Sequence, residues 1–128
     1  MANRARDWLR QAEDDLEWAN DSLAGGRWAQ SCFIAQQVAE KALKAIAIAR
    51  GAADLRSHSI VKIAEALGID GELASMGRRL DAYYISARYP DAYPEGAPFE
   101  YFDRAIASDA LGYARNFVER ARVELPDA

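Results

Sequence analysis

The chain holds a single cysteine and a single histidine among its 128 residues. One cysteine excludes an internal disulfide and any cysteine-based zinc cluster, which makes a reducing cytoplasm the natural compartment. One histidine leaves a zinc site short of ligands, and neither metal nor cofactor is expected. Long apolar runs are also missing. The richest stretch, Ala42 to Ala49, is interrupted by Lys44 and is far too short to span a bilayer, so no membrane role is expected. The N-terminus, Met1-Ala-Asn-Arg-Ala-Arg-Asp7, is charged and does not read as a signal segment. A net charge of −4 excludes a molecule that embraces nucleic acid electrostatically over its whole surface, so any polyanion site must be a local basic patch. Phosphate-loop glycines, a Gly-x-Ser-x-Gly elbow and a His-Glu-x-x-His helix are absent as well.

What is present is helical period. Ala5, Leu9, Ala12, Leu16, Ala19 and Leu23 alternate spacings of four and three and form one stripe, flanked by Trp8 and Trp18. Gly25-Gly26 ends this helix. A second helix starts near Arg27 and carries Trp28, Cys32, Ala35, Ala39, Ala42, Ile46 and Ala49 on one face, with Phe33, Val38, Leu43 and Ile48 on another. A helix apolar on two sides has two neighbours, which predicts a central position, and its alanines allow close approach. After a polar link at 52–57, Ser57 or Ser59 can cap a short third helix with Ile60, Ile63, Ala64 and Leu67 on its buried side. The spacing predicts a fourth helix from Glu72 to Arg88 and a last one from Asp103 to Leu125. No alternating strand pattern occurs. The expected fold is all-α: one domain over residues 1–128, an antiparallel up-and-down bundle of four long helices plus one short helix. Apolar rows on the second and last helices are expected to exceed what one small bundle buries, with homodimerisation as the outlet.

The densest chemistry lies at Asp81-Ala-Tyr-Tyr-Ile-Ser-Ala-Arg-Tyr-Pro-Asp-Ala-Tyr-Pro-Glu95, where the fourth helix runs into a loop that holds three of the four prolines. Arg88, at that helix end, offers a planar fork that can hold a phosphodiester bidentately. The plainer alternative is an arginine that complements the helix dipole and pairs with Asp91 or Asp81. Tyr83, Tyr84, Tyr89, Tyr93 and Tyr101 cluster around it and can stack on bases or orient phosphates, or serve as half-buried packing; packing is the reading for Tyr83. His58, at a helix start, is either a catalytic group acting alone or a residue bonded near a cap. Asp14-Asp15 reads as solvated surface and Glu40–Lys44, at i and i+4, as a surface ion pair.

Four blocks in register make the chain similar to the HEPN family of small helical domains: Arg6 to Leu16, Ser31-Cys-Phe-Ile-Ala-Gln-Gln-Val-Ala-Glu-Lys-Ala-Leu-Lys44, Ser57-His-Ser-Ile60, and Leu80 to Asp91. The resemblance implies an antiparallel bundle that dimerises, and a partnership with a minimal nucleotidyltransferase in a toxin–antitoxin or similar system. Many members are metal-independent endoribonucleases with an Arg-x(4–6)-His motif, in which arginine stabilises phosphate and histidine handles protons while a ribose 2′-hydroxyl attacks; others bind nucleotides without cleaving RNA. Arg88 matches the arginine, but no histidine follows in the window, which holds Tyr93, Pro94 and Glu95. Tyrosine, with an ordinary pKa near ~10, is a poor base at neutral pH. The expectation is therefore nucleotide or RNA phosphate binding by Arg88, Tyr84, Tyr89 and Asp91 with weak or no catalysis. The alternatives are a ribonuclease toxin that uses Arg88 with Tyr93, Glu95 or His58, and a purely structural dimerisation and docking module.

Overall fold

A computed structural model describes residues 4–52 and 56–125. The order along the chain is α1 (Ala5–Ala24), α2 (Trp28–Ala49), α3 (Ile60–Ala66), α4 (Gly71–Asp81), α5 (Tyr83–Ser86), two 3₁₀ turns (Pro90–Ala92 and Pro98–Tyr101) and α6 (Arg104–Glu124). No strand occurs among the described residues, and the molecule is the all-α antiparallel bundle that the periodicity predicts. Part of the polar link at 52–57 lies outside the described residues.

The α1 stripe buries Ala5, Leu9, Ala12 and Ala19, and the chain reverses after α1 at Gly26, whose φ of 77° suits a residue without Cβ. Ser31 Oγ donates to the Ala19 carbonyl at 2.9 Å and clips the start of α2 to α1. α2 packs against α1 on one side and α6 on another, with α3, α4 and α5 closing over the rest. It is the central helix, as its two apolar faces require. Those neighbours cover its rows almost completely. The surplus apolar surface is therefore not on α2. The exposed large apolar side chains are Trp18, Ile85, Tyr89, Phe99, Tyr101 and Val123, four of them on or beside the α5 loop.

Ser59 caps α3 by accepting from Lys62 N–H at 3.2 Å, and Asp103 caps α6 by accepting from Ile106 N–H at 2.9 Å. The fourth helix is not continuous to Arg88. Its ladder loosens at Ala82, whose N–H reaches the Arg78 carbonyl only at 3.4 Å, and the chain resumes as the single turn of α5. The neighbouring Asp81 side chain is engaged by α3, as described below, and the axis breaks beside it.

α4 lies close to α3 because residue 77 is glycine: a Cβ there would stand 2.8 Å from Ile60 Cγ2 and 3.4 Å from Phe117 Cζ. Ile60 and Phe117 are both fully buried, so neither can swing away. Gly77→Ala is expected to lose about 1–3 kcal/mol by overpacking, more than offsetting the gain in helix propensity. A denaturation midpoint equal to or above wild type would show that the α3–α4 contact can give.

Two polar readings from spacing are corrected by the packing. Glu40 and Lys44 do pair, at 3.0 Å, but at 3% and 5% exposure they lie in the interior and not on the surface. Asp14 is exposed, whereas Asp15 is buried and paired with Lys41 at 2.5 Å. α2 is covered on nearly all sides, so Glu40 and Lys44 enter the bundle with its apolar positions. Asp15 is buried on α1, where α1 packs against α2 and Lys41 reaches it. The single thiol, Cys32, is buried, and burial with the nearby Asp103 charge pushes its pKa up to about 12, which makes it a packing residue and not a nucleophile.

Candidate functional site

Arg88 follows α5 at the point where Pro90 forbids further helix. Its Nε donates to the Tyr84 carbonyl at 2.7 Å, four residues back, which turns the guanidinium across the helix end. The guanidinium carbon lies among three rings: Cζ is 4.4 Å from the Phe33 centroid, 4.6 Å from Tyr84 and 4.8 Å from Tyr89. Such cation–π contacts contribute about 0.5–2 kcal/mol each. No carboxylate among the described residues lies in ion-pair range of Arg88. The sequence offered Asp81 and Asp91 as partners, and the structure gives it neither. Asp91 is exposed and its carboxylate bonds no described residue. The half-buried guanidinium is held by rings and one carbonyl, and the donors on its two terminal nitrogens bond no described residue.

Asp81 serves the other side of the site. Its Oδ1 accepts from Ile60 N–H at 2.9 Å, and its Oδ2 accepts from Val61 N–H at 3.0 Å and from Ser59 Oγ at 3.0 Å. The carboxylate thus stands at the N-terminus of α3, where backbone donors have no helical partner. Gln36, fully buried on α2, donates to Asp81 Oδ1 at 3.3 Å and to the His58 carbonyl at 3.0 Å. These bonds fasten the 57–59 segment to the base of α5.

His58 is thereby brought beside the arginine. Its ring stacks on Tyr84 with centroids 5.8 Å apart and an interplanar angle of 18°, so Tyr84 is a wall common to His58 and Arg88. Phe33, the third ring on Arg88, also meets Tyr84 at 6.3 Å. His58 Nδ1 lies 3.3 Å from both carboxylate oxygens of Glu40. The imidazole side chain is 60% exposed while Glu40 is 5% exposed, so the ring is anchored from inside and reachable from outside. No described residue bonds Nε2.

Tyr84, Tyr89, His58 and Arg88 thus share one locality. Tyr93 and Glu95 are built into the loop beyond it. The Tyr93 hydroxyl donates to the Ser86 carbonyl at 2.9 Å, and its ring stacks on Tyr101 at 4.0 Å and 7°. Tyr101 donates in turn to the Glu95 carbonyl, while the Glu95 side chain is exposed. Tyr83 packs edge-on against Phe102 at 5.5 Å, and burial raises its pKa. Residues that sequence reasoning left out are Phe33, Glu40, Lys44 and Gln36, all on α2. The signal for Gln36, Glu40 and Lys44 was their i, i+4, i+8 spacing along α2, while Phe33 stood in that helix's second apolar row. Among the described residues, no group of three or more His, Cys, Asp or Glu side chains could hold a metal, and no helix is long and apolar enough to cross a membrane.

The model of the HEPN domain family matches residues 5–124. Solved structures agree with this assignment. TT1696 from Thermus thermophilus is 40% identical with a TM-score of 0.90, over 97% of this chain and 100% of that one. The archaeal HEPN homologue ST0689 is 34% identical with a TM-score of 0.79, over 95% and 98%. A HEPN domain protein (tm0613) from Thermotoga maritima is 30% identical with a TM-score of 0.73, over 91% and 95%. No curated protein matches the chain. The chain belongs to the HEPN domain family.

Proposed function

We propose that this HEPN protein binds the phosphate of RNA or of a nucleotide through Arg88, with Tyr84 and Tyr89 as stacking surfaces and Asp91 at the rim. In this reading it acts in the cytoplasm as a homodimer alongside a minimal nucleotidyltransferase, in a toxin–antitoxin-like pair, with little or no catalysis of its own. The observation that carries the reading is an arginine fixed among Phe33, Tyr84 and Tyr89 with no carboxylate among the described residues to neutralise it. A cation enclosed by rings is pre-organised for an oxyanion, and rings around it suit unpaired bases. The exposed Ile85, Tyr89, Phe99 and Tyr101 beside it give a second copy of the chain an apolar surface to cover. The test is titration of labelled RNA and ATP with the purified protein and with Arg88→Ala. Affinity that the substitution leaves unchanged would end the proposal.

A second reading, metal-independent RNA cleavage, is favoured by one contact: His58 rests on the same Tyr84 ring as Arg88. It replaces the histidine that the motif lacks with one from the start of α3. The imidazole would take the proton of a ribose 2′-hydroxyl, whose oxygen forms a bond to phosphorus. The P–O5′ bond breaks, the leaving 5′-oxygen takes a proton from the imidazolium, and Arg88 balances charge on the phosphoryl oxygens. Under this reading, cleavage in excess chelator yields a 2′,3′-cyclic phosphate and drops about 10²-fold or more in His58→Ala. No cleavage by wild type would leave phosphate binding as the function.

A further inference from the structure

Glu40 is a buried acid that neither phosphate binding nor stacking uses, and it is costly to keep. A carboxylate taken out of water needs compensation, and here it has two partners: Lys44 Nζ at 3.0 Å to Oε2, and His58 Nδ1 at 3.3 Å. Lys44 is buried too, with its ammonium 5.6 Å from the Trp8 ring. The pair is therefore interior, while the histidine it reaches is mostly in solvent. An ammonium is donor-only and a carboxylate acceptor-only, so the polarity of this row has one solution. Lys44 donates to Glu40, and the group facing Glu40 from the histidine must also donate. That group is Nδ1. A neutral imidazole carries one proton, so placing it on Nδ1 leaves Nε2 as a bare lone pair on the exposed side of the ring.

We propose that Glu40, backed by Lys44, is a positioning residue that holds His58 as the Nδ1–H tautomer and presents Nε2 as the proton acceptor of the site. The proposal rests on the ribonuclease reading for its use, though not for its geometry. The other groups around His58 do not compete for Nδ1. Tyr84 meets the ring by its face, Arg88 lies against Tyr84, Gln36 bonds the His58 carbonyl, and Asp81 is taken up by α3.

Because the chain has one histidine, a nitrogen-15 correlation spectrum of the imidazole reads this site and no other. At a pH where the ring is neutral, the wild-type protein is expected to show predominantly Nδ1–H. In Glu40→Gln, the Lys44 ammonium takes the new amide's carbonyl and leaves its NH₂ facing Nδ1, which must then accept. The spectrum should change to predominantly Nε2–H. Adding Lys44→Met frees the carbonyl to turn toward the ring and should restore Nδ1–H, in a variant that buries no unpaired charge. Loss of contact through simple misfolding would not produce this reversal. A wild-type spectrum dominated by Nε2–H, or a tautomer indifferent to Glu40→Gln, overturns the proposal. If RNA is cleaved, Glu40→Gln should lower kcat by about a hundredfold or more, as a wrong tautomer does elsewhere. An Nδ1–H wild type that reverses as described but cleaves nothing supports the positioning role and removes the ribonuclease reading.

Discussion

Arg88→Ala is expected to weaken binding of a labelled single-stranded RNA by about 10- to 100-fold, the equivalent of losing a charge-assisted contact of about 1.5–3 kcal/mol. The fold should tolerate the change, because the side chain is half-buried, makes one bond to a local carbonyl and compensates no carboxylate among the described residues. Arg88→Lys should recover little of the loss. Lysine keeps the charge, but it cannot present two parallel donors, and its compact ammonium is poorly suited to pack among Phe33, Tyr84 and Tyr89. Fluorescence anisotropy at several salt concentrations checks both points. The slope of log K against log salt should become shallower by about one phosphate's worth, ~0.7 for a single strand. A lysine variant that binds like wild type would mean that only charge matters at this position. An unchanged slope in the alanine variant would place the phosphate elsewhere.

The second large effect is on stability. Lys44→Met removes a cation at 6% side-chain exposure and leaves Glu40, at 5%, with only His58 beside it. Breaking a buried pair on one side costs about 3–5 kcal/mol, since the remaining charge stays desolvated. For a domain of this size that corresponds to a fall of roughly 10 °C or more in Tm. Adding Glu40→Leu should recover most of it, because two apolar side chains of similar volume remove the uncompensated charge altogether. Calorimetry of the three proteins separates the two contributions. A Lys44→Met protein within about 1 kcal/mol of wild type would show that water reaches Glu40 and that the pair is not interior in solution. If the double variant is stable but its His58 no longer shows the Nδ1–H form, the pair is retained for the site and not for the fold.

The three long helices were readable as period. α1, α2 and α6 each repeat apolar residues at three and four, and each forms within a residue or two of where the pattern begins and ends. The caps at Ser59 and Asp103 follow from local chemistry, as does the stop before Pro90. The break at Ala82 was not readable. Nothing in Leu80-Asp-Ala-Tyr interrupts a helix by propensity, and the interruption accompanies Asp81's bonds to a segment some twenty residues earlier. The Glu40–Lys44 pair was legible as a pair and illegible as interior, since spacing gives the distance between two side chains along a helix and says nothing of what covers them.

The candidate site divides in the same way. Arg88, its tyrosines and the proline loop are contiguous in the chain, so the sequence by itself determined that a fixed cation among rings stands at a helix end, because backbone geometry and local sterics are set by near neighbours. Whether that cation would be neutralised, and by which acid, depended on where Asp81 and Asp91 point. Only the tertiary structure decided that Asp81 serves α3, that Phe33 of α2 forms part of the ring enclosure, and that His58 reaches the same Tyr84. Those contacts join residues far apart in the chain. They follow from how α3 and α5 cross the central helix, a consequence of packing the whole core that no local pattern encodes.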